Sequence, residues 1–291
     1  MVNTYMYPVI ITSDRQATCR ELTNYEYKNI LKFIKNEDDE NLCNYFEFLV
    51  YDICKTQCSL NYIDKILILL SSRIISIGEN IIITGKSDIQ NTISLSNVSK
   101  TIIENYVPET KEIEDKENNI KVEISYPYLI SNRDLLYDKI YSISIAGNKV
   151  IMNDTEPEMR DKILNYIPAK LTKKIMRNIK SDSNYKQVKL FSWVYEEGKK
   201  IDLYFSFNSK QNFDFLKACF SEDLKNMYYY EYLCCSKLHI PLSDFLYHMS
   251  PVESILQIKT LAKEIKEQND AQKKANEPKQ VTPQPGLGAA R

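Results

Sequence analysis

Glycine is scarce in this chain. There are six in 291 residues, and the only close pair, Gly286 and Gly288, sits near the end. Loops that cradle phosphate need clustered glycines, so that backbone N–H groups can approach the anion. Neither a Walker loop nor a Rossmann turn fits. Histidine is scarcer still. The two histidines, His239 and His248, are too far apart for the i,i+4 pair of a zinc-protease helix. No serine lies in a nucleophile-elbow pattern. Leu238, Ile240 and Met249 flank the histidines, so both are read as half-buried structural residues. No charge sign dominates: 38 basic and 39 acidic residues leave a net charge of -1, which gives no general pull towards nucleic acid or an acidic surface. Long hydrophobic runs are missing too. The longest, Ile66 to Leu70, is stopped by Ser71, Ser72 and Arg73, far short of the ~20 residues of a membrane span. Met1 to Ile11 lacks the basic-then-apolar order of a secretory signal, so none is expected.

Cysteine is present but unframed. The seven cysteines are odd in number and scattered, which suits buried thiols in a reducing cytoplasm better than disulfides. Cys54 and Cys58, then Cys234 and Cys235, are pairs without zinc spacing. No metal, nucleotide or other cofactor is expected. The carboxylate pairs Asp38-Asp39, Glu114-Asp115 and Glu222-Asp223 fall in polar loops or first helical turns, where solvation and the helix dipole account for them. The 21 tyrosines accompany abundant Ile, Lys and Asn, the composition of a low-GC genome. Hydrophobic residues reach 43%, enough for a sizeable core.

The patterning predicts an α+β fold, helix-rich with short antiparallel β-hairpins. Tyr7 to Thr12 reads as a strand and Asp14 to Ala17 as a turn. Thr23 caps a helix to about Lys35, followed by helices near Glu40–Cys54 and Tyr62–Ile75. Ile81–Thr84 and Thr92–Leu95 are short strands. The acidic stretch 108–119 lacks an apolar period and reads as a linker. It separates an N-terminal region, 1–107, from a mixed α/β region, 120–215. In that second region Ile120–Tyr126 is a strand, Asn132–Ile140 is helical, and a hairpin turns at Gly147-Asn148. Thr155 and Glu158 form a capping-box pattern, and Pro168 opens a helix. Two strands flank Glu197-Gly198. A helical extension, 216–274, and a flexible tail, 275–291, complete the chain.

Two stretches are candidate partner surfaces. Lys170, Lys173, Lys174, Arg177 and Lys180 fall on one stripe of a helix, opposite Leu171, Ile175 and Ile179. The wider segment, 160–189, has nine basic and two acidic residues. The second stretch starts at Ser250-Pro251-Val252-Glu253, a strong helix-start signal. It carries Ile255, Leu256, Ile258, Leu261 and Ile265, an apolar face suited to docking on a partner; Ile258, Leu261 and Ile265 are its candidate contacts.

The stretch DKILILLSSRIISIGE, with Asp64, Leu70, Arg73, Ser76, Gly78 and Glu79, resembles the T4-type bacteriophage baseplate hub assembly protein family. So does VEISYP, with Tyr126 and Pro127, and so does the order of the helical segment and hairpin after it. The likeness spans about residues 8–215. Many relatives carry Cys pairs in the later hairpin; here FSWVYEEGKKIDLYF has none, so no metal knuckle is carried over. The resemblance implies a non-enzymatic structural or assembly component of the central hub of a contractile tail. Its partners would be other hub or tail proteins in an oligomeric assembly. It would be found in the host cytoplasm during assembly and in the virion baseplate. Two other readings stay open at this point: nucleic-acid binding through 160–189, and a hydrolase using His239 or His248.

Overall fold

Thr23 accepts a hydrogen bond from the Glu26 amide, and the Glu26 carboxylate accepts one from the Thr23 amide. This capping box opens α1 (Asn24–Lys35). The computed structural model describes residues 5–14, 16–105, 111–133, 137–185, 188–205 and 209–276. Asp38 caps α2 (Asp39–Ile53), and Asn61 with Asp64 forms a second capping box at α3 (Tyr62–Ser76). Beside them, β1 (Met6–Pro8), β2 (Thr18–Arg20) and β3 (Cys54–Lys55) make a small antiparallel sheet. The expected strand Tyr7–Thr12 shrinks to β1, because Val9 and Ile11 turn into the core and Thr12 is tied to α3.

α3 is the central rod of the main core. Ile66, Leu67, Ile68, Leu69 and Leu70 are all fully buried, as in a helix that is apolar all round. Each Leu→Ala change there costs about 2–5 kcal/mol. Beyond α3, β4 (Asn80–Thr84) and β5 (Gln90–Ser94) form a hairpin. α4 (Leu95–Asn105) follows at once, so Leu95 opens a helix rather than closing a strand. Leu95, Val98 and Ile102 reach the core at helical spacing.

β6 (Lys111–Asp115), β7 (Ile120–Ile124), β8 (Ile140–Ile145) and β9 (Asn148–Ile151) form a four-stranded antiparallel sheet in chain order. β6 places a strand within 108–119, the stretch read as a linker. Only its Ile113 is buried, so the strand shows no apolar period; its backbone ladder to β7 holds it. The β8–β9 hairpin turns at Ala146-Gly147, both with positive φ, as tight hairpins require. Asn132–Ile140 is not the expected helix. Among its described residues are the 3₁₀ turn Tyr137–Lys139 and the start of β8.

α5 (Pro157–Asn165) begins with Pro157 in its first turn. The expected Thr155–Glu158 capping box does not form, because the Thr155 hydroxyl donates instead to the Ile151 carbonyl, 2.7 Å away. α6 (Ala169–Tyr185) follows, then the hairpin of β10 (Val188–Glu196) and β11 (Lys199–Phe205). The chain closes with α7 (Ser209–Phe220), α8 (Leu224–Lys237), α9 (Leu242–Tyr247) and α10 (Pro251–Asn276). The tail 277–291 lies outside the described residues.

The fold is α+β, as its patterning predicts, and two hydrophobic clusters organise it. The larger joins α1–α4 to the β10–β11 hairpin and to α7–α9. The smaller packs Ile113, Val122 and Ile143 of the sheet against Leu171 and Ile175 of α6, with Ile163 and Leu164 of α5 beside them.

Candidate partner-binding surfaces and the struts behind them

Asp64, Leu70, Arg73 and Ser76 of the motif around α3 are buried, whereas Glu79 is exposed. Asp64 has no exposed surface. Its carboxylate accepts from the Thr12 amide and hydroxyl, both at 2.6 Å, from the Ser13 hydroxyl at 2.5 Å and from the Asn61 amide at 3.2 Å. One side chain thus caps α3 and fixes the loop after β1. Ser76 accepts from the Leu22 amide at 2.7 Å and donates to the Ser72 carbonyl at 2.6 Å, pinning the chain before α1. Gly78, at φ 134°, ends α3 in a conformation side chains resist. The Glu79 carbonyl accepts from the Leu95 amide and its carboxylate accepts from the Ser94 hydroxyl, closing the β4–β5 hairpin at its base.

Arg73 is the motif strut that reaches furthest along the chain. Its Nε donates to the Cys219 carbonyl at 2.8 Å, and its other nitrogens donate to the carbonyls of Gly78 and Asn80. Burial holds its pKa below the usual value, the electrostatic cost of a guanidinium surrounded mainly by neutral acceptors. Tyr126 and Pro127 mark the crossing between the two clusters. Ile124 belongs to the smaller; two residues later Tyr126 packs on the larger, its ring 6.1 Å from Phe205. Pro127 is buried.

Sequence reasoning missed the neighbouring Lys65. It is fully buried, and its ammonium meets the Glu47 carboxylate at 2.7 Å, the Tyr128 carbonyl at 2.9 Å and the Tyr128 ring at 4.4 Å. Glu47 also accepts from the Ile130 amide at 2.7 Å. The pair latches segment 128–130 onto α2 and α3. Its sequence signal is a charge directly before the apolar run Ile66 to Leu70.

The basic stripe of α6 divides into two roles. Leu171 and Ile175 are buried, as expected, and all four described cations face out. Lys174 donates to the Glu114 carbonyl at 2.9 Å and Lys170 pairs with Glu117 at 3.4 Å, so both reach the β6–β7 hairpin. That contact is exposed and contributes little. Among the described residues, no hydrogen bond or ion pair engages Lys173 or Arg177. They flank the exposed Met176, and the same unit also exposes Met159 and Tyr166. The Ile179 and Lys180 side chains lie outside the described residues.

At the far end, Ser250 and Glu253 form the expected capping box of α10, with the Ser250 amide 2.8 Å from the Glu253 carboxylate. The first turns of α10 pack back on α8 and α3. Ser254 is buried and accepts from Asn24 at 2.7 Å. Ile258 packs on this chain's own core, Leu261 is half-buried and Ile265 is exposed. The predicted docking face is therefore partly spent within the chain.

Both histidines are exposed, not half-buried, because each sits where a helix ends and the backbone turns outward. Among the described residues no hydrogen bond joins either to a serine or cysteine. Cys19, Cys43, Cys219 and Cys234 are buried, but Cys54 and Cys235 are only half-buried and Cys58 is exposed. Burial pushes the Cys19 thiol up to about 12. Among the described residues no three His, Cys, Asp or Glu side chains gather as a metal site, and no helix is long and apolar enough to cross a membrane.

Searches of curated proteins and of solved structures find no match to this chain. A family comparison does. The family described as T4 bacteriophage base plate protein matches residues 4–190, more than half of the chain. That span holds every motif strut described above, from Asp64 to Pro127, and reaches through the whole of α6. This chain belongs to the T4 bacteriophage base plate protein family.

Proposed function

We propose that this protein is a structural or assembly component of the central hub of the baseplate of a contractile phage tail, acting by protein–protein binding rather than catalysis. Family membership supports a baseplate component. One observation carries the finer reading: the buried motif residues are spent on internal struts, while α6 leaves Lys173 and Arg177 without a partner among the described residues, around the exposed Met176. A cationic rim around an apolar residue suits a partner surface with carboxylates around an apolar socket. Assembly would take place in the host cytoplasm, with the partners being other hub or tail proteins.

The test is the double change Lys173→Glu and Arg177→Glu in the phage. Neither residue supports the fold, so the protein should stay folded while the yield of complete tails falls at least tenfold. Normal yield would overturn the role of this face. Salt-dependent DNA binding by the purified protein, lost in the same variant, would overturn the protein-contact reading in favour of nucleic acid.

A further inference from the structure

α10 is 26 residues long, roughly 39 Å at 1.5 Å per residue, yet the body of the protein supports only its first part. Every residue from Ala262 to Lys273 is exposed. Among the described residues the second half is a helical arm standing clear of the body, and a lone helix of this length is marginal in water.

The arm's side chains are not arranged at random. Ile258, Leu261, Ile265, Gln268, Gln272 and Ala275 follow spacings of three and four residues without a break. They occupy the a and d positions of a heptad, with Ile258, Ile265 and Gln272 at a. The charges keep away from this seam. Lys259, Lys263, Lys266, Glu267, Asp270, Lys273 and Lys274 all fall at the outer b, c and f positions. The flanking e and g positions hold Ala262, Glu264, Asn269 and Ala271, which carry one charge and two side chains small enough for close helix approach. The Lys263–Glu267 ion pair lies on the outer side. The seam also continues the stripe that seats α10 on the body, since Ile258 packs on the main core and Leu261 is half-buried.

We infer that this arm pairs with the same arm of a second copy of the chain as a short parallel two-stranded coiled coil. Three features select that occupant. Ile at a with Leu at d favours two parallel strands. Gln268 and Gln272 each donate and accept through one amide, so each is satisfied by its own copy across a two-fold axis. In parallel register Glu264 meets Asn269 of the other copy, so no like charges oppose each other at the seam's flanks. With only Leu261 and Ile265 as strong apolar seam residues beyond the body, the pairing is weak and concentration-dependent, suited to copies held side by side in an assembly. It does not depend on the hub reading and is tested separately.

The experiment uses the full chain with the exposed Cys58 changed to serine, to which Ile265→Cys, Gln272→Cys or Lys263→Cys is added. Under mild oxidation by a small disulfide, the two a-position variants should give a disulfide-linked dimer as the main product, and Lys263→Cys at least tenfold less. Sedimentation of the parent should show a dimer fraction that rises with concentration and vanishes in Ile265→Asp. Ile265 is exposed, so circular dichroism should show each variant folded. Equal cross-linking at all three positions, or none at any, overturns the inference. Cross-linking at 265 without 272 overturns the parallel register.

Discussion

The Arg73 guanidinium donates from Nε to the backbone carbonyl of Cys219, 2.8 Å away and 146 positions later in the chain. Arg73 lies inside the family-matched span and Cys219 outside it. Replacing Arg73 with Met keeps the bulk but strips the donors from the carbonyls of Cys219, Gly78 and Asn80. The expected loss is about 2–4 kcal/mol, since buried acceptors lose their partners. Urea unfolding measures it, and an unchanged midpoint would remove the strut role.

The family-matched span should not fold alone. The Phe46 ring on α2 lies 5.4 Å from Phe220 and 6.5 Å from Phe213, both from α7. Without α7 and α8 the main core would open a large apolar surface to water. A fragment ending at residue 190 should be insoluble or molten, seen as lost near-ultraviolet dichroism. Truncation within α10 separates two parts of one helix. Stopping after Ala262 should leave the melting temperature unchanged, because residues 263–273 are all exposed. Stopping after Met249 removes Ser254 from the buried Asn24 and Ile258 from the core, and should cost more than the lost hydrogen bond alone, which is worth about 1–3 kcal/mol.

Lys65 and Glu47 form a latch whose halves should be unequal to their sum. Lys65→Met alone leaves the Glu47 carboxylate and the Tyr128 carbonyl without their cation. That change should cost about 3 kcal/mol or more. The double change with Glu47→Leu should recover part of the loss, since an apolar pair carries no desolvation cost. A double-mutant cycle in urea measures the coupling; strictly additive costs would show that the two charges do not act together.

Alkaline pH should weaken the fold before it modifies the chain. Burial raises the Cys19 and Cys43 thiols from 9.0 to about 12, and the Tyr45 hydroxyl from 10.0 to about 12. The unfolded chain therefore releases these protons first, and stability falls as pH rises from about 9 to about 12. Urea midpoints under reducing conditions should be level near pH 7–8 and then drop steadily. A midpoint that holds to pH 11 would contradict the burial of these groups.

Local signals determined much of this protein from the sequence alone. Thr23 with Glu26, and Ser250 with Glu253, specify helix starts because a capping box needs only neighbouring residues. The apolar run at Ile66–Leu70 specifies a core helix, and Leu171 and Ile175 specify which side of α6 is buried. The motif at Asp64, Arg73 and Gly78 identified the family without showing what these residues do. What tertiary structure decided rests on distant partners. β6 exists because β7 offers it a hydrogen-bond ladder, which one buried isoleucine could not reveal. Lys65 is buried because Glu47 and Tyr128 converge on it from other elements. Lys170 and Lys174 lie in the same stripe as Lys173 and Arg177, yet among the described residues only the first two are engaged, because the folded β6–β7 hairpin lies beside them. Periodicity reports which face of an element is apolar; the neighbour that meets that face is set by the packing of the whole chain.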